Sequence, residues 1–140
     1  MKYILVKKNK IIQEGGNNNP FIRNGIVLRD SRYGGKGVFT TEPITEGDTI
    51  EISPFLIIPT NDISSENILK NYVFKHDNNY SSLVLGYGSM YNHNDNPNVQ
   101  YYFNDEKTMF LYKAIRNIEA NEELCISYGD NYWKEREKII

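Results

Sequence analysis

The chain is poor in the residues that build disulfide and metal frameworks, with one cysteine, Cys125, and two histidines, His76 and His93, among 140 residues. One thiol excludes an internal disulfide and any cysteine-cluster zinc site, so the chain requires neither an oxidising compartment nor a structural metal. An intracellular setting, cytoplasm or nucleus, fits best. Long apolar runs are missing as well. The amino-terminal run at residues 3–6 is too short for a signal-peptide core or a membrane span, so no membrane association is expected. Helical periodicity is scarce, confined to residues 64–71, where Ser64 or Ser65 can cap and Ile68, Leu69, Tyr72 and Val73 give i, i+4 apolar pairs. Beyond it, Tyr72-Val73-Phe74 has strand propensity, which leaves open a short helix running into a strand or one continuous helix. A second helical turn is expected at residues 134–138.

What is abundant is tyrosine, with 11 in the chain, a residue that favours strands and the walls of polar clefts. A chain of this length forms one domain. Charge is unevenly placed: residues 1–24 hold five bases and one acid, and the remainder holds 11 bases and 17 acids. An acidic body attracts cationic peptides and repels phosphates, so no direct nucleic-acid binding is expected, and Lys7, Lys8 and Lys10 read as a solvated face.

In chain order, residues 2–7 form a candidate edge strand, and Gly15-Gly16-Asn17-Asn18-Asn19-Pro20 a loop, which together read as an appended arm. A strand over residues 26–29 leads into Ser31-Arg32-Tyr33-Gly34-Gly35-Lys36-Gly37. Its glycines permit a tight turn and close approach by a ligand, but the spacing is neither a Walker loop nor a dinucleotide fingerprint. Residues 38–58 read as strand, turn and strand. The pattern returns near the carboxy terminus: Ile44, Asp48, Ile50, Ile52 and Ser53 match Ile118, Glu122, Leu124, Ile126 and Ser127 at constant offset. Gly47 matches Asn121 at a position suited to φ > 0. Two copies are too few for a solenoid, so these are similar units within one domain.

Residues 98–103 and 108–114 form a hairpin pattern around Asn104-Asp105-Glu106-Lys107. It makes neighbours of the stretches on either side, Gly86-Tyr87-Gly88-Ser89-Met90-Tyr91-Asn92-His93 and Glu123-Leu124-Cys125-Ile126-Ser127-Tyr128-Gly129, and so predicts a concave site at Asn92, His93 and Tyr128. With His76 as the other histidine and no cysteine or carboxylate at ligand spacing, His93 is not expected to bind a metal. Strand alternation makes Cys125 a buried structural thiol and not a nucleophile.

Gly35-Lys36-Gly37-Val38-Phe39, then Tyr91-Asn92-His93 with Asn96-Pro97-Asn98, then Glu123-Leu124-Cys125-Ile126-Ser127-Tyr128-Gly129-Asp130, resemble in order and separation the blocks of SET-domain protein-lysine methyltransferases. The small size resembles the stand-alone viral SET histone methyltransferases. Coverage runs over residues 26–133. The resemblance implies a mainly β fold, the β-clip of several small curved sheets with a carboxy-terminal pseudoknot and one or two short helices. It implies a SET domain at 25–140 after an arm at 1–24. It also implies S-adenosylmethionine as methyl donor, held by Gly35, Lys36, Gly37, Tyr91, Asn92, His93 and Tyr128, with Trp133 or Tyr132 stacking on the adenine.

The same resemblance makes Tyr128 and Tyr72 the catalytic residues and places Tyr72, Tyr101, Ile126 and Tyr128 around a narrow lysine channel. Such a channel excludes water, lowers the lysine pKa by desolvation and offers aromatic faces to the cationic stem. A tyrosine hydroxyl at 101 would favour mono- or dimethylation, whereas Ile126 as the wall residue would leave room for more. The implied partner is a lysine-containing protein, with a histone tail the leading candidate. Asn94 stands where the family usually has Ser, Ser127 where it often has Asp, and no cysteine-rich flank completes the peptide groove. Trp133 with residues 134–138, or a second subunit in a homodimer, would supply that lid.

Overall fold

The computed structural model describes residues 19–134. Its strands are β1 (Phe21–Ile22), β2 (Ile26–Asp30), β3 (Lys36–Thr40), β4 (Thr49–Pro59), β5 (Phe74–Lys75), β6 (Tyr80–Val84), β7 (Asn92–His93), β8 (Val99–Phe103), β9 (Met109–Ala114) and β10 (Glu123–Ile126), followed by one helical turn, α1 (Asp130–Trp133). A larger sheet has the order β5-β6-β4-β9-β8, with β1 also on β4, and a smaller one has the order β2-β3-β10-β7. The expected hairpin is present as β8 and β9, with Val99 opposite Ala114 and Phe103 opposite Phe110. Asn104 closes its turn by accepting the Thr108 and Met109 N–H groups.

The two copies of the repeated pattern pack on one another. Ile44 and Ile118, both buried, form an antiparallel bridge through N–H···O bonds of 2.9 and 2.8 Å. Gly47 and Asn121 adopt φ of 91° and 70°, and each turn closes on the other unit: Gly47 N–H donates to Ala114 O, and Asn121 N–H to Thr40 O. This exchange carries β10 back onto β3, with Leu124 opposite Val38. On its other side β10 runs parallel to β7, with Cys125 opposite Asn92 and Ile126 opposite His93.

The main core gathers Val38, Ile44, Ile50, Tyr91, Phe110, Tyr112, Leu124 and Ile126. Complete burial of an aliphatic or aromatic side chain of this kind contributes about 1.5–3 kcal/mol. Along β9 the alternate residues Met109 and Leu111 join Ile52 in a second cluster on the opposite face. In β4 the register against β9 shifts between Thr49 and Glu51. The extra residue turns Glu51 to the same side as Ile50, so a carboxylate enters the core.

The helix expected over residues 64–71 does not form. A single 3₁₀ turn, Ile68–Asn71, is present, and its cap is Asn67, which accepts the Leu69 N–H, instead of Ser64 or Ser65. The Ile68/Tyr72 pair has little to pack on, at 67% and 38% exposed, and Leu69 and Val73 are only half-buried; one turn with so little tertiary burial does not propagate. Extended structure resumes at Phe74. Phe21–Ile22, within the stretch assigned to the arm, pairs with β4, and Arg23 donates its N–H to Ile50 O. The expected strand at 2–7 lies outside the described residues, as does most of the turn expected at 134–138. Among the described residues no helix is long and apolar enough to cross a membrane.

Candidate active site

Parallel pairing of β7 with β10 lets the residues after each strand meet. Asn94 N–H donates to Ile126 O (3.0 Å), and Tyr128 N–H to His93 Nδ1 (3.0 Å). Because Nδ1 accepts, the ring proton resides on Nε2, which faces Asp95 Oδ1 at 2.8 Å. Both ring nitrogens are thereby engaged within the chain. Asn98 holds β10 under this segment, accepting the Cys125 N–H (2.8 Å) and donating to Glu123 O (2.9 Å).

The Tyr128 hydroxyl donates to the Tyr91 carbonyl at 2.7 Å. Its ring lies edge-on to Tyr132 at 4.6 Å and parallel to Trp133 at 6.0 Å, and Trp133 also packs edge-on against His93 at 4.9 Å. Burial raises the Tyr128 pKa above the ordinary phenol value. The group stays protonated at neutral pH and acts as a hydrogen-bonding dipole, not a base. Cys125 lies buried beside it, and burial pushes its thiol up to about 12, which removes it as a nucleophile.

Tyr128 lines a cavity of about 720 Å³ together with Tyr72, Tyr91, Tyr101 and Tyr132. Asp77 and Asp130 add two carboxylates to its wall. Tyr101 is fixed by the Phe74 ring at 5.0 Å, and burial raises its pKa. Phe74 and Tyr101 lie on β5 and β8, the two outer strands of the larger sheet, so that sheet curves until its edges meet at the cavity. Ile126 does not belong to this wall. Its side chain is fully buried in the core, because alternation along β10 turns it inward with Leu124.

Gly35 ends the β2–β3 turn, and Lys36 and Gly37 open β3. A Cβ at Gly35, where φ is +63°, would meet open space, whereas one at Gly37 would collide with the Glu123 carboxylate and the Asn92 carboxamide. Glycine at 37 therefore allows β3 to approach both. Asn92 Nδ2 donates to Glu123 Oε2 (2.8 Å) and to Lys36 O (3.2 Å), and the Ser31 hydroxyl donates to Glu123. The Lys36 ammonium points elsewhere, to Asp30 at 2.7 Å. A carboxylate and a backbone carbonyl thus gather at Asn92, an acceptor set that suits a cationic, amino-acid-like ligand. Glu123 and Cys125 also line a second cavity of about 480 Å³ with Arg32, Tyr33 and Asn94, and it shares no lining residue with the first.

A SET-domain family profile matches residues 35–129. The chain belongs to the SET-domain family. The histone-lysine N-methyltransferase, H3 lysine-37 specific, of Schizosaccharomyces pombe is 39% identical over 121 residues, covering 84% of this chain and 82% of that protein. A solved candidate histone methyltransferase of Plasmodium falciparum matches with a TM-score of 0.67 and 35% identity, over 81% of this chain and 100% of that one. A chain of ctPRC2, solved in complex with H3K27me3 and H3K27M, shares the fold: TM-score 0.64, 22% identity, 76% of this chain and 14% of that one. This SET domain is accordingly a protein-lysine methyltransferase, of a family whose members draw the methyl group from S-adenosylmethionine.

The mainly β fold is as the sequence motifs predict; Tyr128 meets His93, while the Asn92 side chain turns to Glu123 and Lys36. Unforeseen were Glu123 as the partner of Asn92, the pair Asp77 and Asp130, and the buried Glu51. Glu123 and Asp130 sit inside a recognised block. Asp77 lies in a turn and Glu51 in a strand, where residue type alone carries no signal.

Proposed function

We propose that this SET domain methylates a lysine in a histone tail or a similarly basic segment, with Tyr128 at the reacting centre. The observation that carries this is the fixing of Tyr128 at both ends, by His93 at its backbone and by the Tyr91 carbonyl at its hydroxyl, on the wall of a tyrosine-lined cavity. Gly35, Lys36, Gly37, Asn92 and His93 would hold S-adenosylmethionine, with Tyr91 contributing through its backbone alone because its side chain is buried in the core and bonded to Glu51, with Glu123 added to that set and Trp133 flanking it. Bound there, the cofactor supplies an electrophilic methyl group on a sulfonium. The chain must then align a neutral amine in line with that group and keep water away. Tyr72 and Tyr101 enclose the lysine stem and favour its deprotonated form by desolvation. The Tyr128 hydroxyl orients the amine, while Asp77 and Asp130 draw basic residues to the cavity mouth.

The specificity named for the fission-yeast relative makes the histone H3 tail the first substrate to test, and a histone substrate would be met inside the cell, in the nucleus. Pairing of Phe21–Ile22 with β4 extends the domain to before residue 25, and threading of β10 beneath residues 92–98 supports the family's pseudoknot. A second subunit is the alternative to residues 134–138 as a lid. Calorimetric titration with S-adenosylmethionine, followed by mass spectrometry of core histones incubated with enzyme and cofactor, tests the proposal. Cofactor binding with methyl-lysine on H3 is expected. Binding without product on any protein would reduce the chain to a silent peptide-binding module, and absence of binding would contradict the proposal outright.

A further inference from the structure

Behind the site lies a carboxylate that the chemistry above does not use. Glu51 is 0% exposed and lines neither cavity. One of its oxygens accepts from the Tyr91 hydroxyl at 2.7 Å, and the other accepts from the Tyr87 N–H at 2.8 Å and the Ser53 hydroxyl. The Tyr91 ring is stacked on Tyr112 at 4.6 Å and 12°, and the Tyr112 hydroxyl donates to Gly88 O. Glu51 therefore grips both ends of the segment 87–91, one through backbone and one through a side chain. That segment ends in the carbonyl that receives the Tyr128 hydroxyl.

Stability alone gives no reason for a carboxylate here. An apolar side chain would fill the same space without desolvating a charge, and burial does push the Glu51 pKa upward against the pull of its donors. The carboxylate offers geometry instead, since one rigid group with two accepting oxygens fixes the distance between Tyr87 and Tyr91.

We propose that Glu51 is a positioning residue for methyl transfer, setting the Tyr91 carbonyl and through it the direction of the Tyr128 hydroxyl at the reacting amine. The proposal rests on the placement of Tyr128 at the reacting centre. Glu51→Gln preserves shape but turns one accepting oxygen into a donor that faces a donor. Tyr91→Phe cuts the same link from the other side and keeps the stack on Tyr112.

Each variant should lower kcat by about tenfold or more while KM and cofactor affinity stay within about twofold, the pattern of an interaction realised in the transition state. The discriminating arm is the Tyr128→Phe background, where either substitution should cost less than about twofold further, because the hydroxyl it positions is gone. A structural role would reduce activity equally in both backgrounds, and that result overturns the proposal, as does an unchanged kcat in the parent. If Glu51→Gln does not fold, Tyr91→Phe carries the test. Failure of both to fold also overturns it, by making the network an element of folding. An inactive parent enzyme would instead sink the assignment of Tyr128, so the two failures are distinguishable.

Discussion

Tyr128 is useful to a methyl-transfer site because its hydroxyl is aimed and its acidity is suppressed. The Tyr91 carbonyl does the first and burial the second. Of the two candidate wall residues, Tyr101 lines the cavity, whereas Ile126 lies in the core, so under the proposed function product multiplicity would depend on Tyr101. The unmodified enzyme should therefore give mono- or dimethyl-lysine, and Tyr101→Phe should shift the product towards trimethyl-lysine by mass spectrometry. Mainly trimethylated product from the parent, unchanged by Tyr101→Phe, would contradict this. Glu51 gives a prediction with a definite sign. Its folded-state pKa lies above the ordinary value of 4.5 because of burial, so the folded state binds the proton more tightly than the unfolded state. The ionised group then subtracts from stability: its contribution is most favourable below pH 4.5 and is lost as pH rises through the folded-state pKa. The unfolding free energy of the parent minus that of Glu51→Gln, from urea denaturation, should fall as pH climbs from below the ordinary value towards neutrality. A flat or rising difference would contradict it.

At the level of elements, the repeated strand-turn-strand unit fixes where β10 runs. Asn121 sits at φ 70° in the second turn, so Asn121→Ala should cost about 1 kcal/mol in urea denaturation while Asn121→Gly stays near neutral. Both replacements lose the bond from Arg29 to the Asn121 side chain, so equal costs would show that backbone strain is not the cause. This turn, its partner at Gly47 and the hairpin β8–β9 were legible, because glycine or asparagine between apolar alternations is a local signal. The approach of Tyr128 to His93 was legible, because the family blocks name both and the hairpin brings their stretches together. The supposed helix at 64–71 failed because i, i+4 apolar spacing says nothing about whether a surface exists to bury it. Glu51 went unnoticed for a related reason: alternation places it opposite Ile50, and only the register shift in β4 turns both inward. Ile126 was misplaced because a position two residues before Tyr128 does not disclose which face of β10 looks into the channel.

Across the whole molecule, acids exceed bases by six outside the first 24 residues, and the cavity wall carries Asp77 and Asp130 against Lys75. A basic peptide should show a KM that rises with salt, and a neutral peptide of equal length should be poorly used with little salt dependence. Equal use of both across a salt series would remove charge as a determinant. The central claim is that the meeting of β7 and β10 creates a methyl-transfer centre around the Tyr128 hydroxyl. The most direct measurement compares the parent and Tyr128→Phe in one preparation series, with cofactor affinity by calorimetry and the methyl-transfer rate on histone H3 by mass spectrometry. Loss of one transition-state hydrogen bond predicts a rate lower by about 10²-fold with cofactor affinity preserved, whereas full turnover by Tyr128→Phe would contradict the assignment.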